Sequence, residues 1–592
     1  MKALRNVGSV GSLLAGALIA AQATGCADDP SSVVLTINAR PAVIYVDQLK
    51  IRIAIDGVGQ DKIFDISNKT FPQTLSISTT SLASGTLSIT AEATGQGTLI
   101  GFGKVDTSFT NLDAQLMLEA ADFVVNDTVL DDQELVQDFE AAGYQIASFP
   151  NGDFDIGFRS PSNTDFVQQG RRFTITSDTV VTTATTDDTP WNFSTDPTLS
   201  LSAIAIANNT RRTLAAWDLT TGVLSTSGIM CRSISANGAL SAAPVLVAVD
   251  GQPDVVTVAA LPNGNFVLAW RGSGPVVGGT IAIRAKIVDE NCADLAVPPP
   301  PPTTPSPSFQ VSTISVPGMS RPSVAARSGG IMFGWIAGDD VRVRRFSITG
   351  ASASLDEMLV AKTSDIVSNN FVRLAPYGAG FAAVYHQTLI GSPKSTRIML
   401  QRLSIGGMKD PATVVITPDT RALELESFGV YSSGDMDPLM VTWRGCPDQT
   451  DFDCGEIFGR LIRPNGQPMG EAFTVNTTTT GQQDTPSVTR LGPSGDEPIY
   501  AFAWNDNSHV EPDTSGSAVR SRVMYPTYNL AASTLGADCR TGKPACADGL
   551  VCIGDTENVP RCVLTCNPTG PAPLCPLGGA CTKQGDVSGC RF

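Results

Sequence analysis

Residues 256–271 read VTVAALPNGNFVLAWR, and residues 144–159 read YQIASFPNGDFDIGFR. The two stretches align without a gap: an apolar run, a Pro-Asn-Gly turn, and a second apolar run that ends in an aromatic residue. Asn-Gly between two apolar runs is a strong short-range signal for a β-hairpin. Each stretch therefore predicts the first two strands of one repeated β-unit.

The second run recurs seven times along the chain, at a mean interval of about 58 residues. Its copies are Ile156-Gly-Phe158, Ala215-Ala-Trp217, Leu268-Ala-Trp270, Phe333-Gly-Trp335, Ala383-Val-Tyr385, Val441-Thr-Trp443 and Phe502-Ala-Trp504. A small residue beside a large aromatic residue suits one sheet packing closely on the next. The repeat therefore predicts seven stacked sheets.

A third, β-rich run follows each aromatic anchor and carries one basic residue. These residues are Arg172, Arg232, Lys286, Arg345, Arg402, Arg460 and Arg522. A fourth run is clearest at Phe473-Thr-Val-Asn-Thr477 and at Phe309-Gln-Val-Ser-Thr313. Four short strands in each of seven units predict a seven-bladed β-propeller over 121–528. The repetition favours a structural role for the basic residues, and the alternative is a ring of seven cations that grips an acidic ligand.

The last repeat has three strand-like runs and no evident fourth strand before Cys539. The chain ahead of the first repeat has a spare one, because Phe123-Val-Val-Asn-Asp-Thr128 matches Phe473-Thr-Val-Asn-Thr-Thr478. We therefore predict that the closing strand 123–128 pairs with the run around Arg522, since an open ring would leave sheet edges and faces uncovered.

These units resemble the repeats of large secreted bacterial proteins, which end in a Phe-x-Val-Asn-Thr phrase. The resemblance covers about 123–527. It implies a fold and does not imply an activity.

The N-terminus predicts export. Lys2 and Arg5 precede an uncharged apolar stretch, which is typical of a signal peptide over 1–25. Ala23-Thr24-Gly25-Cys26 resembles the lipobox of bacterial lipoproteins, although that family usually has Leu where this chain has Ala23. The resemblance implies cleavage before Cys26, a lipid on Cys26, and a short linker to residue 30. Ala27 then implies the outer membrane. The alternative is an ordinary signal peptide, with Cys26 free or in a disulfide.

Residues 31–120 contain strand-like runs with alternating apolar residues and glycine breaks. The clearest are Gln48-Leu-Lys-Ile-Arg-Ile-Ala-Ile55 and Thr86-Leu-Ser-Ile-Thr-Ala91. About ninety residues of this kind predict an immunoglobulin-like β-sandwich. The fold class is therefore all-β, and this domain is expected to hold the propeller away from the membrane.

The chain has thirteen cysteines, and twelve are left when Cys26 carries lipid. Eight lie in 529–592: Cys539, Cys546, Cys552, Cys562, Cys566, Cys575, Cys581 and Cys590. They form two tandem four-cysteine units with few large apolar residues, which predicts a small disulfide-rich module. The rival is zinc, which usually takes ligands at closer spacing. Cys446 and Cys454 bracket an acidic loop and are expected to pair, which leaves Cys231 with Cys292.

Composition excludes several classes of function. Forty Lys and Arg against 57 Asp and Glu give a net charge of −17, which argues against a nucleic-acid partner. The chain has two histidines, so a multi-histidine metal site is excluded, and no catalytic motif accompanies His386 or His509. No cofactor is predicted. Calcium bound by acidic loops is the weak exception, and the alternative is that these loop carboxylates are simply solvated. The calcium candidates are Asp339, Asp340, Asp506 and Asp513.

Three functional hypotheses follow. The first is a lipid-anchored envelope or cell-surface protein whose propeller binds a protein or a glycan, with the cysteine-rich tail as a second contact module. The second is a propeller enzyme that degrades polysaccharide with a pair of carboxyl groups about 5–10 Å apart. The third is a purely structural envelope protein. An acid pair in the central funnel would favour the enzyme.

Overall fold

In a computed structural model of the protein, the regular elements of the described residues are β-strands. The structure describes residues 32–591 except for gaps at 40–42, 44–45, 56–57, 68, 79–85, 96–97, 109–112, 127–132, 134, 136–144, 163–164, 177–178, 183–189, 195–199, 202–203, 221–227, 250–252, 274–280, 296–307, 315–318, 351–356, 363–366, 390–394, 418–419, 422–427, 432–437, 446–454, 492–498, 511–515, 525, 527–549, 555–559, 565–579 and 585–586. Within these ranges no helix is long and apolar enough to span a bilayer. The predicted signal peptide, Cys26, and the loop with Cys446 and Cys454 lie outside the described residues.

The chain divides into two compact units, and the described part of the first is mainly 32–123. Its strands are β1 (Ser32–Ala39), β2 (Gln48–Ile55), β3 (Val58–Asp65), β4 (Gln73–Ser78), β5 (Thr86–Gly95), β6 (Thr98–Ser108) and β7 (Asp113–Ala120). They form one hydrogen-bonded series in the order β3-β2-β5-β6-β7-β1-β4. All described pairings in it are antiparallel except β1 with β7.

Alternation along each strand builds the core of this first unit. Val33, Leu35 and Ile37 are buried, while the residues between them are half-buried, because successive side chains of a strand point to opposite faces. The same period buries Leu87 and Ile89 in β5. These side chains belong to a single hydrophobic cluster. The immunoglobulin-like form of this unit stays a prediction.

Seven sheets make up most of the second unit, and they are called blades 1 to 7 here. Blade 1 contains β9 (Ile146–Ser148), β10 (Phe154–Ser162), β11 (Asp165–Thr176), β12 (Thr179–Thr182) and β13 (Trp191–Asn192). Blade 2 contains β14 (Ser200–Leu201), β15 (Ala205–Asn208), β16 (Arg212–Thr220), β17 (Gly228–Ser235) and β18 (Val245–Ala248). Blade 3 contains β19 (Asp254–Ala260), β20 (Phe266–Ser273), β21 (Ile281–Val288) and β22 (Phe309–Gln310). Blade 4 contains β23 (Ser323–Arg327), β24 (Gly330–Ala337), β25 (Asp340–Phe346) and β26 (Met358–Ala361).

The other three blades continue the series. Blade 5 contains β27 (Val367–Tyr377), β28 (Gly380–Leu389), β29 (Ser395–Leu403), β30 (Lys409–Val415) and β31 (Thr420–Arg421). Blade 6 contains β32 (Phe428–Tyr431), β33 (Leu439–Gly445), β34 (Glu456–Ile462) and β35 (Pro468–Thr474). Blade 7 contains β36 (Gln483–Leu491), β37 (Ile499–Asp506), β38 (Ala518–Met524) and β8 (Phe123–Val124). One inner strand of every blade lines a common axial channel, so the fold is a seven-bladed β-propeller.

The aromatic anchors lie in the strand that pairs with the inner strand of each blade, and they are buried. The small residue beside them lets the next blade approach. A Cβ added at Gly157 would lie 3.2 Å from methyl groups of Ile204 and Ile206, and one at Gly334 would lie 3.2 Å from Leu374. A distance of 3.2 Å is shorter than an ordinary van der Waals contact, so a larger residue would push the blades apart. Hydrophobic clusters accordingly span consecutive blades.

The Phe-x-Val-Asn phrase fastens the outer strand to the third strand of its blade. In blade 6 the Val475 N–H donates to the Ile457 carbonyl oxygen at 2.6 Å, and Asn476 Oδ1 accepts from the Ile457 N–H at 2.8 Å. Blade 5 repeats both contacts, through Ile416 and Thr417. The phrase therefore satisfies a backbone donor and acceptor that would otherwise be buried without partners.

The same phrase closes the ring through 123–126, the described part of the predicted closing strand 123–128, and residues 127–128 lie outside the described residues. Strand β8 is the outer strand of blade 7, beside β38. The Val125 N–H donates to the Val519 carbonyl oxygen at 2.7 Å, and Asn126 Oδ1 accepts from the Val519 N–H at 2.9 Å. Asn126 and Val519 are 393 positions apart in the chain. The first and last parts of the propeller sequence thus share one sheet.

Cys231 in β17 and Cys292 after β21 form a disulfide that joins blades 2 and 3. In the tail, the described strands are β39 (Leu550–Gly554), β40 (Pro560–Leu564), β41 (Ala580–Gln584) and β42 (Val587–Arg591). They form two hairpins, with Cys552 opposite Cys562 in one and Cys581 opposite Cys590 in the other. Each four-cysteine unit therefore has one hairpin. The other tail cysteines lie outside the described residues, and the disulfide-rich module stays a prediction.

Candidate functional site

An axial channel of about 330 Å³ runs between the inner strands of the seven blades. Its lining comes from Ile146–Ser148, Ile206–Asn208, Val258–Ala260, Val324–Ala326, Leu374–Pro376, Val430, Tyr431, Val488 and Thr489. Valine, isoleucine and alanine dominate these strands because β-branched and small residues suit inner strands that crowd around an axis.

Nothing along this lining ionises near neutral pH. The described lining residues include no Asp, Glu, His, Lys or Arg, and their polar side chains are one serine, one asparagine, one threonine and one tyrosine. General acid–base catalysis needs a titratable group within reach of the reacting atoms. The described channel therefore lacks the carboxyl pair that would have favoured an enzyme.

A second cavity, the mouth pocket, opens where the channel meets the turns that follow the inner strands of blades 2, 3 and 4. Its volume is about 590 Å³. The wall consists of Asn208, Asn209, Thr210, Arg211, Ala260, Leu261, Pro262, Asn263, Gly264, Ala326, Arg327, Ser328 and Pro376. Pockets for small ligands have about this volume. The mouth pocket is therefore a candidate binding site of the propeller.

Asparagine side chains give the turns of the mouth pocket their shape. Asn209 Oδ1 accepts from the Arg211 N–H at 3.1 Å and the Arg212 N–H at 2.9 Å, and its Nδ2 donates to the Gly264 carbonyl oxygen of blade 3. Gly264 has a φ of +89°, which favours glycine. The Pro-Asn-Gly signal therefore predicted the blade 3 turn at Gly264 as local structure, but neither the Asn209 turn nor the pocket that the turns form together.

Two arginines of the wall are held differently. Arg327 Nη1 donates to the carbonyl oxygens of Gly378 and Gly380 in blade 5, each at 2.7 Å. The side chain of Arg211 is 73% exposed, and its Nη1 lies 3.6 Å from Glu290 Oε2. One guanidinium is therefore fixed to a neighbouring blade, and the other can move.

Three of the seven recurrent basic residues bind backbone carbonyls of the preceding blade, whereas Arg402 pairs with Asp410 of its own blade. Arg232 Nη1 donates to the Asn192 carbonyl oxygen at 2.8 Å, Lys286 Nζ to that of Val247 at 2.9 Å, and Arg460 Nη1 to that of Ile416 at 2.7 Å. Each acceptor lies at the outer strand of the preceding blade. These contacts support the structural interpretation over a cation ring.

In blades 1 and 4 the residue that makes this contact is one position before the one that the sequence alignment indicated. Arg344 Nη1, rather than Arg345, donates to the Val311 carbonyl oxygen at 2.8 Å, and Arg171 Nη1 donates to that of Val125 at 2.8 Å. Arg172 instead pairs with Asp155 inside blade 1. Neighbouring side chains of a strand point to opposite faces, so only one of two adjacent arginines can reach the preceding blade.

The acidic candidates are spread over two blades. Asp339 occupies a turn with a φ of +65°, and Asp340 Oδ2 lies 3.5 Å from Arg342 Nη2. Asp506 pairs with Arg520 and accepts from Gln483 Nε2 at 3.0 Å. Asp513 lies outside the described residues. No group of three or more possible metal ligands occurs among the residues that the structure describes, and calcium stays untested.

Blade 7 also buries a carboxyl group that the sequence did not single out. Asp484 accepts from Asn505 Nδ2 at 3.0 Å, and Thr485 Oγ1 donates to the same oxygen. Burial raises the pKa of Asp484 above its usual range. Asn505 in turn accepts from the Leu135 N–H at 2.7 Å. This network fixes the inner strand of blade 7, so its polar atoms are committed to the fold.

His386 lies in β28 directly after its anchor, Tyr385, and is 3% exposed. Its ring stacks on Phe371 with centroids 6.5 Å apart, and neither ring nitrogen has a hydrogen-bond partner. Burial lowers the pKa of His386 to about 4. The imidazole is therefore neutral at pH 7 and packs as part of the core. His509 lies in an exposed loop with a φ of +54°.

Stability is expected to fall by about 3 kcal/mol as the pH drops from 7 to 4, owing to His386. The pKa of this residue is about 4 in the folded chain and 6.5 as its ordinary value, so between these values the unfolded chain binds the proton and the folded chain does not. Urea unfolding of His386→Phe should show a shallower pH dependence than the wild type. His509→Gln should match the wild type. An unchanged slope in His386→Phe would contradict the assignment.

No protein-family model matches the chain. No curated protein matches it either. A crystal structure of a protein of unknown function from Dyadobacter fermentans is similar at 12% identity, with a TM-score of 0.36, over 68% of this chain and 98% of that one. The phage phi92 endosialidase is similar at 9% identity and a TM-score of 0.34, over 77% of this chain and 78% of that one. The α-L-arabinofuranosidase Arb93A of Fusarium graminearum is similar at 11% identity and a TM-score of 0.30, over 60% and 92%. Similarity at this level carries no argument about what this chain does.

Proposed function

We propose that the protein is an exported, lipid-anchored envelope protein whose propeller binds a ligand in the mouth pocket. The observation that carries the proposal is the form of this pocket: about 590 Å³, walled by turns that hydrogen bonds between blades hold in place. Amide, hydroxyl and guanidinium groups lie on its wall, and they suit recognition of a polar ligand.

The other parts of the chain fit this role. We infer that residues 31–120 form an immunoglobulin-like spacer between the membrane and the propeller, and that the tail is a disulfide-rich second contact module. The ligand is a glycan or a protein. No nucleic acid is expected, because the net charge of −17 opposes phosphate binding.

Filling the mouth pocket should abolish ligand capture. Ser328 is an exposed wall residue in the turn between β23 and β24, so Ser328→Trp should occupy the pocket without disturbing the core. Pull-down from envelope extracts, coupled to a glycan array, measures the effect. Thr349→Trp is the matched control, because Thr349 is exposed in another turn of blade 4 and outside the wall.

Equal capture by the two variants would move the binding surface elsewhere on the propeller. Turnover of a captured polysaccharide, with release of shorter chains, would instead support the alternative of a polysaccharide-degrading enzyme. The described channel lining has no carboxyl group to serve such an enzyme.

Lipid attachment should depend entirely on Cys26. Cys26 follows Ala23-Thr24-Gly25 at the end of an apolar run, and a thiol is needed to carry the lipid. Cys26→Ser should give uncleaved or soluble protein in place of a membrane-bound form. Mass spectrometry that finds another mature N-terminus, with Cys26 unmodified, would overturn the anchor.

A further inference from the structure

The wall of the mouth pocket carries two positive charges and no negative one. Arg211 and Arg327 are its charged members, and the other described wall residues are uncharged. The whole chain has a net charge of −17, so two arginines without a carboxylate on the wall set the pocket apart, and Glu290 is the acidic neighbour, 3.6 Å from Arg211. A concave site with one sign of charge concentrates ligands of the other sign.

The two guanidinium groups have complementary roles. Arg327 is held by the carbonyl oxygens of Gly378 and Gly380, which leaves little side-chain entropy to lose on binding. Within the described ranges the Arg211 side chain has one ion-pair partner, Glu290 at 3.6 Å, and exposed ion pairs of this kind contribute little. A ligand carboxylate can therefore displace Glu290 and take Arg211 for itself. Guanidinium groups bind carboxylates in a two-point geometry.

The neutral part of the wall favours a hydroxyl-bearing ligand. Thr210, Asn263 and Ser328 are exposed there, and amide and hydroxyl groups both donate and accept hydrogen bonds, as sugar hydroxyls do. Peptides are usually recognised along a strand edge or in an apolar groove. The wall combines turns with the ends of the inner strands of blades 2 to 5, so a peptide bound along a strand edge is the competing ligand that the experiment must exclude.

We propose that the mouth pocket binds an acidic oligosaccharide, with a carboxylate against Arg211 and Arg327 and hydroxyl groups against Thr210, Asn263 and Ser328. The inference rests on the proposed function, since it names the ligand of the same pocket. Glu290 competes with the ligand carboxylate for Arg211 and therefore weakens ligand binding.

Isothermal titration of the full chain tests the proposal with three carboxylated probes: trigalacturonate, a mannuronate trimer and sialyllactose. Arg211→Gln should weaken binding about tenfold or more, because it removes a charge-assisted contact. Glu290→Gln should tighten binding about two- to fivefold, since it removes the competitor. Arg212→Gln is the matched control and should change binding less than about twofold, because Arg212 is the next residue, outside the wall. Thermal unfolding verifies that each variant is folded.

The outcomes separate the two levels of the proposal. Binding of cellotriose as tight as that of the acidic probes, with no effect of Arg211→Gln, would overturn the acidic ligand and leave the binding function standing. Preference for a hexaglutamate peptide over all three saccharides would also overturn it. Failure of the three probes, together with equal capture by Ser328→Trp and Thr349→Trp, would overturn both.

Discussion

Asn126→Ala is expected to lower the free energy of unfolding by about 3 kcal/mol, because it leaves several buried polar groups without partners. Asn126 is buried, its Oδ1 accepts from the Val519 N–H, and its Nδ2 donates to Gln133 Oε1 at 3.1 Å. Gln133 is itself buried, and its N–H donates to the Ser517 carbonyl oxygen at 2.8 Å. The Asn126 side chain thus connects both its own backbone segment and Gln133 to the part of blade 7 around Ser517 and Val519.

Blade 6 supplies the matched control. Asn476 Oδ1 accepts from the Ile457 N–H at 2.8 Å, and its Nδ2 donates to Gln483 Oε1 at 3.2 Å, so the contacts match those of Asn126. The separation along the chain differs: 19 positions from Asn476 to Ile457 and 393 from Asn126 to Val519. A strand tethered by a short connection re-pairs after it detaches, whereas a remote strand opens the ring.

Asn126→Ala should therefore lose more stability than Asn476→Ala in urea unfolding, and its amide exchange should rise in blades 1 and 7 together. Truncation gives a second test. A chain that starts at Gln133 should be less stable or aggregate, while one that starts at Ala120 should fold. Equal losses in the two asparagine variants, with exchange confined to one blade, would contradict closure by this strand.

The sequence predicted the propeller because its repeats carry both of the interactions that build it. A glycine or alanine beside five of the seven anchors sets the spacing between blades, and the Phe-x-Val-Asn phrase fastens the outer strand, so both leave a periodic pattern. Closure could be predicted for the same reason: Phe123–Asn126 carries the phrase in a place where no blade had yet begun.

The mouth pocket could not be predicted in this way. Its wall combines turns from successive blades, and Arg211, Asn263 and Arg327 occupy three different repeats at positions that do not align. The turn at Asn263-Gly264 was visible as an Asn-Gly signal and those at Asn209 and Ser328 were not, and only the closed ring brings the three turns around one axis. His386 is a similar case, because its sequence position gave no sign that a bulge would set Phe371 against its ring.

Arg171, and not Arg172, makes the carbonyl contact of the recurrent series in blade 1. Arg172 instead pairs with Asp155, and this pair is expected to contribute strongly to stability. Arg172 Nε and Nη2 donate to the two carboxylate oxygens of Asp155 at 2.7 and 2.8 Å, and both side chains are nearly inaccessible to solvent. Thr213 Oγ1 donates to the same carboxylate at 2.6 Å from blade 2. The guanidinium also donates to the carbonyl oxygens of Ser235 and Ala236.

Aromatic rings complete this enclosure. The guanidinium carbon of Arg172 lies 4.4 Å from the ring centroid of Phe149 and 5.3 Å from that of Trp191. A cation shielded in this way cannot recover hydration if its carboxylate is removed. Without Asp155, Arg172 would keep its two carbonyl contacts to blade 2, but its charge would be left buried without a carboxylate.

Asp155→Ala should lower the free energy of unfolding by about 3–5 kcal/mol, since it strands a buried cation. Asp410→Ala is the control, because Asp410 pairs with Arg402 of the same series at 2.6 Å while both side chains are 26% exposed. That half-buried pair keeps contact with solvent, so it is expected to contribute about 1 kcal/mol and to weaken further in 1 M salt. Urea unfolding at low and high salt distinguishes them. A loss in Asp155→Ala no larger than in Asp410→Ala would show that solvent reaches the blade 1 pair and that the contact between blades does not depend on it.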